Sequence, residues 1–173
     1  MFTLETDRLT FRHIVDSDAD ALLEMFSDPE VMRFASGTWN AEEIATWLAK
    51  MHERSDDKCM GFRAGIRKDT GEYVGHVGLL NQEVEGEPVI EVGYWLVRRQ
   101  WGNGFAAEGA RAFRNMGFEQ LGVNKIVSLI HPDNVPSQKV AMRNGMTLER
   151  DATWRDMQVH VFAITRSEWE QLK

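Results

Sequence analysis

Apolar positions along this chain switch between two rhythms, every second residue and every third or fourth, and the switches mark its elements. Leu9-Thr10-Phe11-Arg12 alternates as a half-buried strand does. Asp16-Ser17-Asp18 then opens an apolar periodic run to Phe26, which predicts a helix. Asn40 is a cap for a second helix over residues 41 to about 54, with Ile44, Trp47, Leu48 and Met51 on one face. Residues 61–67 and 73–80 flank Asp69-Thr70-Gly71-Glu72 and read as a hairpin. A polar loop rich in glutamate follows, then a third long strand over 89–97. Beyond a glycine stretch, residues 105–121 form a helix that Gly122 stops. Residues 125–130 are a strand, and 136–144 a short helix with Pro136 near its start and Gly145 at its end. Residues 146–155 and 157–165 pair as a last hairpin, and Ser167 with Glu170 makes a capping box for a terminal turn. An antiparallel meander combined with one β-α-β crossover is an α+β arrangement.

At 173 residues and 43% hydrophobic, the chain is long enough for one domain, spanning residues 1–173, with its own core. No apolar run approaches the roughly 18 residues of a membrane span, and the opening MFTLETDRLT lacks the basic-then-apolar pattern of a signal peptide. The single Cys59 leaves no internal disulfide framework or cysteine metal site, so it reads as an ordinary semi-buried thiol in a reducing, cytoplasmic setting. His13, His52, His76, His131 and His160 have no ligand spacing, so no metal is expected, and no G-x-S-x-G marks a serine hydrolase.

The net charge of −7 argues against general nucleic-acid binding. Its distribution is uneven, because residues 1–57 carry 13 acidic and 5 basic side chains while residues 58–173 carry 14 and 15. The acidic half is suited to attract a cation. Equally, Asp16, Asp18, Asp20, Glu42 and Glu43 fit the decoration of helix starts and solvated faces.

The candidate chemistry centres on 100-QWGNGFAAEG-109, where Gly102-Asn103-Gly104-Phe105-Ala106-Ala107 matches G-x-G-x-x-G/A. Glycines this dense ahead of a helix let several backbone N–H groups converge on an anion. A dinucleotide fold would carry the pattern after its first strand, with an acidic residue about 20 positions on. Here it follows roughly the fourth strand, and the next strand, 125-KIVSLI-130, carries no acid. No Gly-Lys-Ser/Thr marks a nucleotide P-loop either.

The run 91-EVGYWLVRRQWGNGFAAEG-109, followed by 134-NVPSQKVAMRNGM-146 and preceded by the opening ETDRLTFRHI, resembles the GNAT acyltransferase superfamily. The closest likeness is to the branch that includes the ribosomal-protein-alanine N-acetyltransferases. That resemblance implies acetyl-CoA as donor and a strongly twisted mixed sheet in which a splayed pair of parallel strands holds the pantetheine arm. The family's Q/R-x-x-G-x-G/A loop maps onto Trp101-Gly102-Asn103-Gly104-Phe105-Ala106, with Trp101 in place of Gln or Arg. Gly102 and Gly104 would let Asn103, Phe105, Ala106 and Ala107 bring their backbone to the pyrophosphate. Arg98 and Arg99 stand where they could meet phosphates, or serve as solvated charges at a strand end. Leu96 and Val97 could pair with the pantetheine through their backbone, and an N–H there could stabilise the thioester oxyanion.

In much of the family a tyrosine seven residues after the asparagine protonates the leaving thiolate; here that position is Ala141. The branch resembled instead carries a serine at plus three, Ser137, which would act as the acid while Asn134 bonds the pantetheine arm. The other reading of Ser137 is helix-end polarity beside Pro136. Glu91, in an otherwise apolar strand, either relays a proton from the amine through water or faces solvent. The expected activity is transfer of an acetyl group to a primary amine, of a small molecule or a protein N-terminus, by direct attack in a ternary complex. The alternative is a catalytically silent acyl-CoA-binding module. No nucleic-acid or membrane partner is expected, and the assembly is a monomer or homodimer.

Overall fold

The computed structural model describes residues 2–53 and 60–173. Cys59, expected as a semi-buried thiol, and the second helix's expected end at Arg54 lie outside the described residues. The strands are β1 (Leu4–Glu5), β2 (Leu9–Arg12), β3 (Gly61–Arg67), β4 (Tyr73–Val84), β5 (Glu87–Leu96), β6 (Lys125–Ile130), β7 (Thr147–Trp154) and β8 (Met157–Thr165). They form one sheet in the order β1-β2-β3-β4-β5-β6-β8-β7. Every neighbouring pair is antiparallel except β5 and β6. The helices are α1 (Ala19–Phe26), α2 (Ala41–Glu53), α3 (Phe105–Gln120), α4 (Val135–Arg143) and α5 (Arg166–Glu170). The α+β class and mixed sheet expected from the sequence are therefore present.

Both faces of the sheet centre are covered. On one face α3 brings Phe113 and Met116 against Val77, Leu79, Val92 and Ile126. On the other, α1 and α2 bring Leu22, Met25, Phe26, Ile44 and Leu48 against Ala64 and Tyr73. A strand covered on both sides loses its alternation, and residues 73–79 of β4 are all buried. β4 also holds a glycine that its position demands. Gly75 has φ 153°, and a Cβ there would lie 2.1 Å from the Trp95 carbonyl oxygen.

Three elements differ from the sequence expectation. β1 was not anticipated, since two residues are too few to show a period. The glutamate-rich loop is instead a tight hairpin, because β4 continues to Val84 and β5 begins at Glu87. Its two turn residues, Glu85 and Gly86, both have positive φ (52° and 84°), the backbone that matches the twist of paired strands. The polar residues 81–83 mark where β4 leaves the core, not where it ends. The terminal capping box uses Thr165 and Glu168, not Ser167 and Glu170. Thr165 accepts from the Glu168 N–H, and the Glu168 carboxylate accepts from the Thr165 N–H at 2.7 Å.

Asp18 is not a solvated helix-start acid. It is buried, it receives both Arg12 Nη atoms at 2.7 Å, and it accepts from the Val15 N–H at 2.9 Å. Beneath α1 and α2, an aromatic cluster surrounds His76, with Phe62, Phe26 and Trp47 at ring-centroid distances of 4.4, 5.5 and 5.5 Å. Its Nδ1 lies 3.3 Å from the Tyr73 hydroxyl, while burial pushes the imidazole down to about 3.

A buried neutral histidine makes stability depend on pH. The unfolded chain takes up a proton near the ordinary value of about 6.5, which the folded chain refuses. The contribution is therefore present above that value and is lost as pH falls from there toward about 3. Urea midpoints of a His76→Leu variant should fall less steeply than the parent's over this window. Parallel slopes would mean that His76 protonates without unfolding the cluster.

Candidate active site at the parallel strand pair

β5 and β6 pair at a single register, Glu91 with Val127. A continued parallel ladder would carry the Leu129 N–H to the Val92 carbonyl. Instead the buried Ser128 Oγ donates to that carbonyl at 2.9 Å, and the Leu129 N–H stands by the Glu91 carboxylate and favours its charged form. The ladder stops here, and a cleft opens between the strand ends.

Residue parity along β5 decides which backbone groups face this cleft. The Val97 N–H donates to Val74 of β4 at 3.0 Å, and the Val97 carbonyl accepts from the Gln100 N–H at 3.0 Å. Val97 thus has its N–H committed to β4 and its carbonyl already engaged by the turn that follows, where a pairing with the cofactor was expected. Leu96 faces the other way. Its carbonyl accepts from Trp101 Nε1 at 3.0 Å, and its N–H points to the β6 side. Trp101, 47% exposed, therefore folds back to close the turn at Arg98–Gln100.

The glycine loop ends at α3. Gly102 and Gly104 have φ 79° and 82°, the left-handed backbone that costs glycine little. Gly104 is the helix N-cap and supplies no side chain to it, so the N–H groups of Phe105, Ala106 and Ala107 lack intrahelical partners. The first helical bond runs from the Glu108 N–H to the Gly104 carbonyl at 3.1 Å. Open donors and the helix dipole make this an anion site. Asn103 braces the loop, its Nδ2 donating to the carbonyls of Gln100 and Trp101 at 3.1 and 3.3 Å.

The two expected phosphate arginines are engaged elsewhere. Arg99 pairs with Glu24 of α1, and Arg98 lies 3.7 Å from Asp28. Arg8, which sequence reasoning did not single out, touches the loop. Its Nη1 donates to the Asn103 carbonyl at 2.9 Å, its Nε to Glu108 at 2.7 Å, and its guanidinium lies 4.5 Å from the centre of the Phe105 ring. Thr6 also donates to Glu108, at 2.6 Å. No periodicity signals a contact between residues 8 and 103.

α4 forms one wall of the cleft's mouth. Asn134 Oδ1 accepts from the Ser137 N–H at 3.2 Å, capping the helix and leaving only Nδ2 to meet a pantetheine carbonyl. The half-buried Ser137 stands by the Tyr94 phenol, which burial pushes up to about 12 while Ser137 favours its ionised form. Arg114, buried on α3, holds the far end of α4 by donating to the Asn144 carbonyl.

Glu91 does not face solvent. It is 8% exposed, on the sheet face shared with Trp95, under α1 and α2. Burial raises its pKa, opposed by the hydrogen bond from Gln82 Nε2 (2.8 Å), by the Leu129 N–H and by the charge of Arg155. A carboxylate raised in this way is suited to take a proton at neutral pH. Gln82 is a second residue that sequence reasoning missed. Among the described residues, no group of three or more His, Cys, Asp or Glu side chains is placed to hold a metal ion.

Comparison with known proteins gives a consistent result. Residues 8–147 match the acetyltransferase (GNAT) domain family. The chain is 38% identical over 146 residues to the uncharacterized protein YkkB of Bacillus subtilis, covering 83% of this chain and 84% of that one. It is 30% identical over 181 residues to the uncharacterized N-acetyltransferase p20 of Bacillus licheniformis, covering 98% and 99%. A solved GNAT-family acetyltransferase from Bacillus anthracis superposes with a TM-score of 0.80 at 22% identity, over 96% of this chain and 99% of that one.

The buried carboxylate has a cost that can be measured. Because the folded pKa of Glu91 lies above its ordinary value of about 4.3, the folded state loses stability as pH rises through that window. Glu91→Gln should therefore raise the melting temperature at neutral pH, with the gain vanishing below about pH 4.3. A variant no more stable than the parent at neutral pH would show that its hydrogen bonds fully offset the burial.

Proposed function

Since the chain belongs to the GNAT acetyltransferase family, we propose that it moves the acetyl group of acetyl-CoA onto a primary amine by direct attack in a ternary complex. The observation that carries this reading is the cleft itself. Two parallel strands part beside a buried carboxylate, and an uncapped helix N-terminus stands after one of them.

The pyrophosphate would lie on the N–H groups after Gly104, with Arg8 steadying the loop from behind. The pantetheine would take the place that β6 gives up along β5, meeting Asn134 Nδ2. The Leu96 N–H is the donor available to the thioester oxygen as it gains charge. Glu91 would receive the amine's proton, through water, as nitrogen attacks the carbonyl carbon. When the C–S bond breaks, the thiolate takes a proton from Ser137, which regains one from solvent, as Glu91 returns the amine's proton to water. A thiol's ordinary value near about 8.5 makes this a modest demand, and the Tyr94 phenol backs the serine.

The acceptor would approach from the acidic N-terminal side. There Trp39, Trp47, Glu42, Glu43, Thr46 and Lys50 line a depression of about 390 Å³ on α2, which favours a protonated small-molecule amine or a protein N-terminus. No helix among the described residues is long and apolar enough to cross a membrane. We place the enzyme in the cytoplasm, as a monomer or homodimer. The competing reading, an acyl-CoA-binding module without turnover, is separated by assaying free-thiol release from acetyl-CoA against a panel of amines.

Gly104→Glu should abolish coenzyme A binding by calorimetry, because a side chain and a negative charge enter the anion site on a strained left-handed backbone. Unchanged affinity in the folded variant would remove the loop from the cofactor site. Ser137→Ala should lower kcat by roughly 10- to 10⁴-fold with acetyl-CoA affinity nearly kept. Turnover at the parental rate would leave Ser137 with only its place in α4.

A further inference from the structure

The reading of Glu91 as the base leaves open what tunes a carboxylate buried this deeply. Gln82 of β4 and Glu91 of β5 are diagonal neighbours on one sheet face, since Leu80 stands opposite Glu91 and Gln82 opposite Val89. Gln82 Nε2 donates to Glu91 Oε2 at 2.8 Å. A carboxamide has two ends of nearly equal shape; an ionised carboxylate, which only accepts, selects the nitrogen, and a second contact reinforces that direction. That contact is Arg155, at the tip of the β7–β8 hairpin, whose Nη2 donates to Gln82 Oε1 at 3.4 Å. A guanidinium only donates, so it holds the amide oxygen and turns the amide nitrogen toward Glu91.

Arg155 is itself held in place. Its guanidinium lies 4.4 Å from the centre of the Trp154 ring. The hairpin that carries it is fastened to the β4–β5 turn, since Arg150 donates to Glu85 at 2.8 Å and to Glu87 at 3.2 Å, and the Thr153 N–H donates to Glu85 at 2.9 Å.

We infer that Gln82 is a positioning residue for Glu91, keeping its buried carboxylate ionised for proton transfer, and that Arg155 at the hairpin tip reinforces the orientation in which Gln82 does so. This rests on the proposed role of Glu91. The groups that bear on this carboxylate are Gln82 from β4, the Leu129 N–H from β6, Arg155 from the hairpin and the phenol of Tyr94 on its own strand. Burial disfavours the charged form, whereas Gln82, the Leu129 N–H and Arg155 favour it. Loss of Gln82's donor must therefore move the carboxylate further up.

The test uses Gln82→Met, which keeps length and bulk at a half-buried position but cannot donate, and Arg155→Met. Carboxyl ¹³C NMR of the folded proteins, checked by melting temperature, reads the Glu91 titration without any acceptor. The Glu91 midpoint should rise in Gln82→Met, and by less in Arg155→Met. The acid limb of kcat/KM for thiol release from acetyl-CoA, with spermidine and an alanine-initiated peptide as acceptors, should move up with it. Above both limbs kcat should stay within a few-fold of the parent, and KM for acetyl-CoA should be unchanged. A Glu91 midpoint that stays put in folded Gln82→Met overturns the inference and leaves the Glu91 reading intact. A midpoint that moves while the kinetic limb does not overturns Glu91 as the base, and with it the role given to Gln82.

Discussion

Two parallel strands that stop pairing in the middle of a sheet leave backbone N–H and C=O groups that must find other partners. In this protein that constraint organises the candidate active site. Beyond the Glu91–Val127 register, Ser128 satisfies the Val92 carbonyl, the Glu91 carboxylate stands by the Leu129 N–H, and the Trp101 indole takes the Leu96 carbonyl. Each substitution prevents the ladder from closing again. The Leu96 N–H is left pointing into the gap, where a strand-like cofactor arm would complete what β6 abandons. Trp101, where the resembled family carries Gln or Arg, uses its indole N–H to hold the Leu96 carbonyl.

The helices around the cleft are set by polar contacts between elements distant in sequence. Arg8 reaches across to the Asn103 carbonyl and to Glu108, holding the glycine loop against α3. Arg114 reaches from α3 to the end of α4 and so fixes where Asn134 and Ser137 stand. Arg98 and Arg99 tie the turn after β5 to Asp28 and Glu24. These last pairs are half exposed, and such pairs contribute only about 0–1 kcal/mol each. They orient the turn without locking it, so an anion could compete for either arginine.

Glu91 joins these two themes. Its burial disfavours the charged form, and nothing in the packing of an apolar strand requires a carboxylate there. The hydrogen bond from Gln82 and the nearby Leu129 N–H offset part of that penalty and leave a group raised but still ionisable. Gln82 is aimed by a hairpin that arrives from the opposite end of the sheet. Glu91 is thus linked through Gln82 to the tip of the β7–β8 hairpin.

Whatever depends on neighbouring residues could be read from the sequence alone. The period of apolar positions located nearly every long strand and helix, because burial of one face is a local demand on spacing. The glycines at 102 and 104 announced a left-handed loop, and Asn134 a helix cap, since both are properties of a few consecutive residues. Glu91 and Ser137 stood out as polar groups in telling positions. What lay beyond reach was pairing across the sheet. Only the strand register shows that Val97 faces β4 while Leu96 faces the cleft, that Arg98 and Arg99 are met by α1, and that Arg8 and Gln82 touch the working parts. Register and the approach of distant elements are decided by the whole core packing at once, and no local pattern records which residue will stand opposite which.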